Sequence, residues 1–199
     1  MDGLMTITRQ QLKKETHARV IEAATRLFTE RGFETTTVRD IATSAAVSPG
    51  TVISVGDKNA LLIKVYDNLI AGKHAQRSDA ADASISSTCV DRLEALVAPF
   101  VFMFMDNPAL SRSYASVLVS GTQNSALFTE LADRLIVEFA TAISAHGCIS
   151  PNEAHATSRA LYFAYVGTLF TWSALANPDA SALQSNLRST FASICTCKE

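Results

Sequence analysis

Apolar residues recur every three to four positions along most of the chain, and no turn-bounded run alternates strictly, so the pattern predicts helices and no strand. The first long helix is predicted from Arg9 to Arg31, with Thr8 and Gln11 as a capping box and Gly32 as a left-handed stop. Its apolar face is Val20, Ile21, Ala24, Leu27 and Phe28, and Phe33 just beyond the stop is expected to fold back onto it. A short second helix follows Thr37, with Asp40 three residues on and Val38, Ile41, Ala42 and Ala45 as its one apolar stripe. A third starts at Ser48, where Pro49 tolerates a first-turn position and Val47 can staple onto Val52. Between the two lie only Ala46 and Val47. Two short amphipathic helices so tightly joined are a helix-turn-helix signature, which the preceding long helix completes as a three-helix unit.

Gly56 ends the third helix and Asp57 caps a fourth, whose apolar side reads Leu61, Leu62, Val65, Tyr66 and Leu69. The small, polar run at 78–87 reads as a loop or frayed helix end. Turn signals at 106–108, 120–124, 146–152 and 176–179 then divide the chain into helix-length apolar segments at about 89–105, 109–119, 125–145, 152–175 and 180–195. The expected fold is therefore all-α, with about nine helices in two parts: a helix-turn-helix domain over 9–56 and a larger helical domain over 57–199.

Composition narrows the class. With 48% hydrophobic and 18% charged residues in 199 positions and no uninterrupted stretch of about 18 apolar residues, the chain reads as a globular protein rather than a membrane one. The first eight residues carry no signal-peptide pattern, and the expected location is the cytoplasm. A net charge of −2 excludes a generally basic nucleic-acid binder, although residues 1–64 carry nine Lys and Arg against seven Asp and Glu, while 65–199 carry eight against twelve. Cys89, Cys148, Cys195 and Cys197 lack C-x-x-C spacing, so neither a disulfide framework nor a metal site is expected, and they read as small hydrophobes ahead of a thiol sensor. His17, His74, His146 and His155 are scattered. No nucleophile motif, phosphate loop or metal-ligand cluster suggests an enzyme or a cofactor.

The chemistry concentrates in the helix pair. On the third helix Ser48, Val52 and Val55 share one side, leaving Gly50, Ile53 and Ser54 facing away, flanked by Thr51. So small a face permits close approach to a major groove, where hydroxyls can pair with base edges and an Ile can touch a thymine methyl, but it lacks Arg, Asn or Gln for bidentate readout. Lys58 falls in a first turn, where the helix dipole disfavours a cation by a few tenths to about 1 kcal/mol and a bound phosphate would reverse the sign. Thr36, Thr37 and Arg39 make a similar hydroxyl-and-cation group at the start of the second helix. An ordinary helical hairpin fits the same pattern.

The stretch "AATRLFTERGFETTTVRDIA", the "VSPGT" start of the third helix and the following "DKNALL" resemble the DNA-binding domain of the TetR family of bacterial transcription regulators over residues of about 16 to 62. The resemblance implies phosphate contacts for Thr36, Thr37, Arg39 and Lys58, and places Ser48, Pro49, Gly50, Thr51, Ile53 and Ser54 in or beside the major groove of a double-stranded operator. Three departures stand out: Ala46 where the family usually has glycine, Ile53 where it has tyrosine, and one residue fewer between Thr51 and Lys58. A left-handed Ala46 would cost about 1 kcal/mol. Loss of the tyrosine removes a phosphate-binding hydroxyl, and the deletion rotates the next helix by about 100° unless Gly56 absorbs it. Weakened contacts follow.

These readings lead to a homodimeric, ligand-responsive repressor. The alternative is a helical dimeric carrier or sensor that has lost operator binding. The effector is expected to be a mostly apolar small molecule, held by Phe100, Met103, Phe104, Tyr114, Phe128, Tyr162 and Phe163, although such a stripe also suits a solid core. Phe100, Phe102, Met103, Phe104 and Met105 cannot all face one side of a helix. By analogy with the family, the dimer face is expected on the last two helices, at Leu161, Tyr165, Thr168, Leu169 and Trp172, then Leu183, Leu187, Thr190, Phe191 and Ile194, although the same spacing suits an intrachain core.

Overall fold

The computed structural model describes residues 8–78, 88–123, 125–147 and 149–195. It is built of α1 (Arg9–Arg31), α2 (Val38–Ser44), α3 (Pro49–Val55), α4 (Lys58–Ser78), α5 (Cys89–Asp106), α6 (Pro108–Val119), α7 (Ala126–His146), α8 (Pro151–Ser173) and α9 (Ala180–Ile194), with no strand among the described residues. The turn signals delimit the helices to within a few residues. The polar run beginning at Ser78 lies, beyond that residue, outside the described residues.

The predicted caps form. Thr8 accepts a hydrogen bond from the Gln11 backbone N–H, one half of the expected box, and Gly32 ends α1 with a φ of 88° but a ψ of 157°, outside the left-handed helical region. Thr37 and Asp40 close a reciprocal capping box on α2, and Ser48 caps α3 through the Thr51 amide with Pro49 in the first turn. Val20, Ile21, Ala24, Leu27 and Phe28 are buried, and Phe33 returns to pack edge-on against Phe28 with ring centroids 5.2 Å apart. Val52 is buried, and Val47 is partly buried against the same core.

In α4 the core takes Leu61, Leu62, Val65 and Tyr66 as expected, but then Ile70, whereas Leu69 is 36% exposed. The stripe shifts because α4 packs on α1 and then continues onto α6 and α7, so its buried side changes along its length. Beyond it, α5 is the central helix, touching each of α4, α6, α7, α8 and α9. Of its large residues, Phe100, Met103 and Phe104 turn inward, Phe102 is 50% exposed and Met105 is half-buried, the division that helical geometry requires.

The last two helices require a correction. Leu161, Tyr165, Leu169, Trp172, Leu183, Leu187 and Phe191 are buried inside the single chain, and Ile194 is half-buried against the same core. Their heptad-like spacing reflects packing of α8 against α7 and α9, which uses up the apolar stripes before any second copy could. Trp172 Nε1 also donates to the Asp179 carbonyl at 2.7 Å, pinning the turn between α8 and α9. No single described helix is long and apolar enough to cross a membrane; α5 and α6 together pass by composition but bend by 107° at Asn107.

Candidate nucleic-acid interface and ligand cavity

Helix α3 presents a small, open outer face. Ser48, Pro49, Gly50, Ile53 and Ser54 are exposed, Ile53 to 61%, while Thr51 is half-buried. A Cβ at Gly50 would meet only Ser48 Oγ, at 3.7 Å, so nothing of this chain crowds the face. The hydroxyls are pre-positioned: Ser48 and Thr51 pair at 2.9 Å, and Ser54 donates to the Thr51 carbonyl at 2.7 Å, leaving lone pairs outward.

The turn before α3 carries the strain that the sequence implied. Ala46 has a φ of 53°, a left-handed conformation that favours glycine. Gly56, at the other end, is extended and needs no special dihedral, but a Cβ there would lie 2.9 Å from the Ala60 Cβ. The connection from α3 to α4 is therefore short because its glycine lets the two helices approach closely. Lys64 of α4 donates to the Val55 carbonyl, satisfying the carboxyl end of α3, and Asp57 caps α4 through the Ala60 amide at 2.7 Å.

Among the expected phosphate contacts, Thr37 and Arg39 are exposed beside α3. Thr36 is not. It is fully buried, and its hydroxyl donates to the Gly32 carbonyl at 2.8 Å and approaches that of Leu27 at 3.2 Å, so it pins the α1–α2 corner instead of reaching a ligand. Lys58, despite its first-turn position, has an intrachain role: Nζ donates to the Glu34 carbonyl at 3.1 Å and lies 4.3 Å above the Phe33 ring.

A second feature lies in the larger part, where a cavity of about 50 Å³ sits between α4, α5, α6, α7 and α8. Phe100, Met103, Phe104, Tyr114, Phe128 and Tyr162, all expected to bind a ligand, line it. Phe163 does not, being 59% exposed on the outer side of α8 with the Arg159 guanidinium 5.9 Å from its ring. It follows Tyr162 by one position, and about 100° of helical rotation carries it out of the cavity. Tyr165 and Leu169, expected at a dimer face, line the cavity instead, together with Ile70 and His74 of α4 and Leu131, Ala132 and Leu135 of α7. The sequence pattern offered no sign of the α4 contribution, because which turn of that helix meets α5 is set by the fold.

Polar groups in this lining are few. Tyr114 stacks on Tyr66 at 4.0 Å and 9°, and its buried hydroxyl has no hydrogen-bond partner among the described residues, whereas the Tyr66 hydroxyl pairs with Ser111 Oγ at 3.0 Å. Burial pushes the Tyr114 hydroxyl well above the usual tyrosine range, aided by the Asp67 charge, and raises Tyr162 to about 12, aided by Asp133. Both therefore remain protonated donors at neutral pH. No Lys, Arg, Asp or Glu lines the cavity, and among the described residues no group of three or more His, Cys, Asp or Glu could hold a metal ion.

Residues 20–54 match the model of the family described as bacterial regulatory proteins, tetR family. The helix-turn-helix of this chain is thus similar to that of the TetR family. Over 65 residues it is 38% identical to the HTH-type transcriptional regulator HbdR of Aromatoleum sp. (strain CIB), a stretch that covers 32% of this chain and only 28% of that relative. The fold extends the likeness beyond the helix-turn-helix. A TetR transcriptional regulator from Rhodococcus sp. RHA1 superposes with a TM-score of 0.64 at 20% identity, over 94% of this chain and 97% of the other. Thermus thermophilus FadR, a TetR-family repressor solved with lauroyl-CoA, gives 0.65 at 22% identity, over 92% and 97%. The chain thus shares the fold of these solved regulators over most of its length, while its sequence likeness is concentrated in the helix-turn-helix.

Proposed function

We propose that the protein is a DNA-binding transcriptional regulator of the cytoplasm, a homodimeric repressor that an apolar small molecule releases from a palindromic operator, and that it has no enzymatic activity. One observation carries this reading: α4 joins the candidate reader to the cavity as a continuous helix. Its first residue, Lys58, holds the α1–α2 corner, Lys64 caps α3, and Ile70 and His74 line the cavity. Twelve residues of helix separate Lys58 from Ile70, about 18 Å at 1.5 Å per residue, so a shift at one end displaces the other.

The reader offers exposed Thr37 and Arg39 to phosphates and Ser48, Pro49, Gly50, Thr51, Ile53 and Ser54 to the major groove. A cavity of about 50 Å³ is far below the 300–1,000 Å³ or so of a filled ligand site, so an effector must part α5, α7 and α8 to enter. The Tyr114 hydroxyl favours a largely apolar molecule carrying one acceptor such as a carbonyl oxygen, because no Lys or Arg lines the cavity to pair an anion. The bound acyl chain of FadR is in keeping with an apolar ligand. Opening the site would drag α4, so effector and operator weaken each other by the same factor.

Two copies pair through the outer face of α8 and α9 instead of the buried stripes. That face displays Phe163, 59% exposed, beside Ala156, Ala160 and Gly167, which allow close helix approach. Selection from a random duplex pool tests the whole reading, with enrichment of a palindrome expected. Lys58→Ala should weaken all sequences alike and lower the salt slope by about 1, if Nζ exchanges the Glu34 carbonyl for a phosphate. Ser54→Ala should alter base preference. The second reading, a carrier that no longer binds an operator, is favoured by Ile53 on the outer face and by the prior engagement of Lys58. A pool that yields no enriched sequence at low salt would decide for it.

A further inference from the structure

The fold brings together two cysteines that are 106 positions apart in the chain. Cys89 is the first residue of α5 and Cys195 closes α9; both side chains are buried, and their sulfurs lie 3.6 Å apart. The approach is fixed by the surrounding structure. Arg188 of α9 reaches Asp91 of α5 at 2.8 Å and also pairs with Glu94, setting the register of the two helices within two turns of the thiols. Asp91 is at the same time the capping-box partner of Thr88, the residue just before Cys89, so the clamp also fixes the start of α5. Neither cysteine lines the cavity or lies on the α3 face.

We infer that Cys89 and Cys195 form a reversible redox site, which a small neutral hydroperoxide converts to an intramolecular disulfide. One sulfur, as thiolate, attacks the peroxide, breaking the O–O bond and forming a sulfenic acid with release of hydroxide or alcoholate. The second thiol attacks that sulfur, an S–S bond forms, and the hydroxyl leaves as water. Two thiols are oxidised by two electrons and the peroxide is reduced. A disulfide requires about 2.05 Å between sulfurs, so each need advance by less than 1 Å. Both residues lie at helix ends, where such a shift disturbs few backbone hydrogen bonds. Burial excludes large or charged oxidants. The bond would tie α5, which lines the cavity, to α9 and close a long loop, so the oxidised form should be the more heat-stable one.

The test is independent of any DNA or effector reading. The full chain is treated with hydrogen peroxide, its remaining thiols are alkylated under denaturing conditions, and it is digested without reductant for mass spectrometry. Expected are a peptide pair joined through Cys89 and Cys195, its loss on reduction with dithiothreitol, and a rise of several degrees in melting temperature of the oxidised protein. Cys197→Ser should leave all three unchanged, and Cys89→Ser should abolish the crosslink and the shift. Crosslinking confined to Cys195 and Cys197, oxidation to sulfinic acid without a crosslink, full alkylation of both thiols, or a lowered melting temperature would overturn the inference.

Discussion

Tyr114 and Tyr66 stack on each other in the same core, yet the same chemical change should move stability in opposite directions. Tyr114→Phe keeps the ring contacts with Tyr66 and Phe104 and removes a buried hydroxyl that has no partner among the described residues. Leaving a hydroxyl unsatisfied in the interior costs about 1–3 kcal/mol, so its removal should stabilise the ligand-free protein by about 1 kcal/mol. For a chain of this size that is a rise of about 2–4 °C in melting temperature. Tyr66→Phe breaks the bond to Ser111, itself buried and donating to the Phe104 carbonyl at 2.9 Å, and should cost about 1 kcal/mol. The assay is thermal and urea unfolding of both variants, followed by titration with neutral carbonyl compounds that bind the wild type. Tyr114→Phe should bind them about 3- to 10-fold more weakly, the equivalent of one neutral hydrogen bond. A lowered melting temperature for Tyr114→Phe would show that the hydroxyl is satisfied in the ligand-free state and refute the argument. Unchanged affinity would remove Tyr114 from the recognition of the ligand.

Ala46→Gly should stabilise the protein by about 0.5–1 kcal/mol, since glycine adopts the φ of 53° freely and loses some of that gain to chain entropy; a lower urea midpoint would contradict this. Gly56→Ala should cost about 1–3 kcal/mol through the 2.9 Å contact with the Ala60 Cβ, and adding Ala60→Gly should recover most of it in a double-mutant cycle, with simple additivity as the refuting result. Burial holds the Asp67 carboxyl above the ordinary aspartate range, only partly offset by a 2.6 Å hydrogen bond from Ser125. Its contribution is most favourable below the ordinary aspartate value and is lost as pH rises through the higher folded value, so Asp67→Asn should flatten that decline in urea midpoints between acid and neutral pH. An unchanged slope would count against it.

Local chemistry was legible in the sequence wherever the cause lies within a few residues. The Thr37–Asp40 box and the Ser48 cap with Pro49 behind it each depend on neighbours in the chain, and the structure shows both, while the left-handed Ala46 was implied by the family resemblance and is also found. Helix boundaries were readable for the same reason. An apolar stripe, by contrast, announces that a helix face is covered without naming what covers it. Leu161, Leu183 and Leu187 have the spacing of an interface between chains but are buried within one, and Tyr165 and Leu169 belong to a cavity because α7 and α5 come to lie beside them. Thr36 differs from Thr37 by one step, yet the α1–α2 corner buries the first hydroxyl and exposes the second residue. The Lys58 contact with Phe33 and the approach of Cys89 to Cys195 join positions far apart in the chain. Periodicity and capping thus determine which helices form and which sides they bury, because both act over one or two turns. Only the packing of α4 to α9 around the central α5 decides which buried side becomes core, cavity or surface, because that depends on which distant segment arrives to cover it.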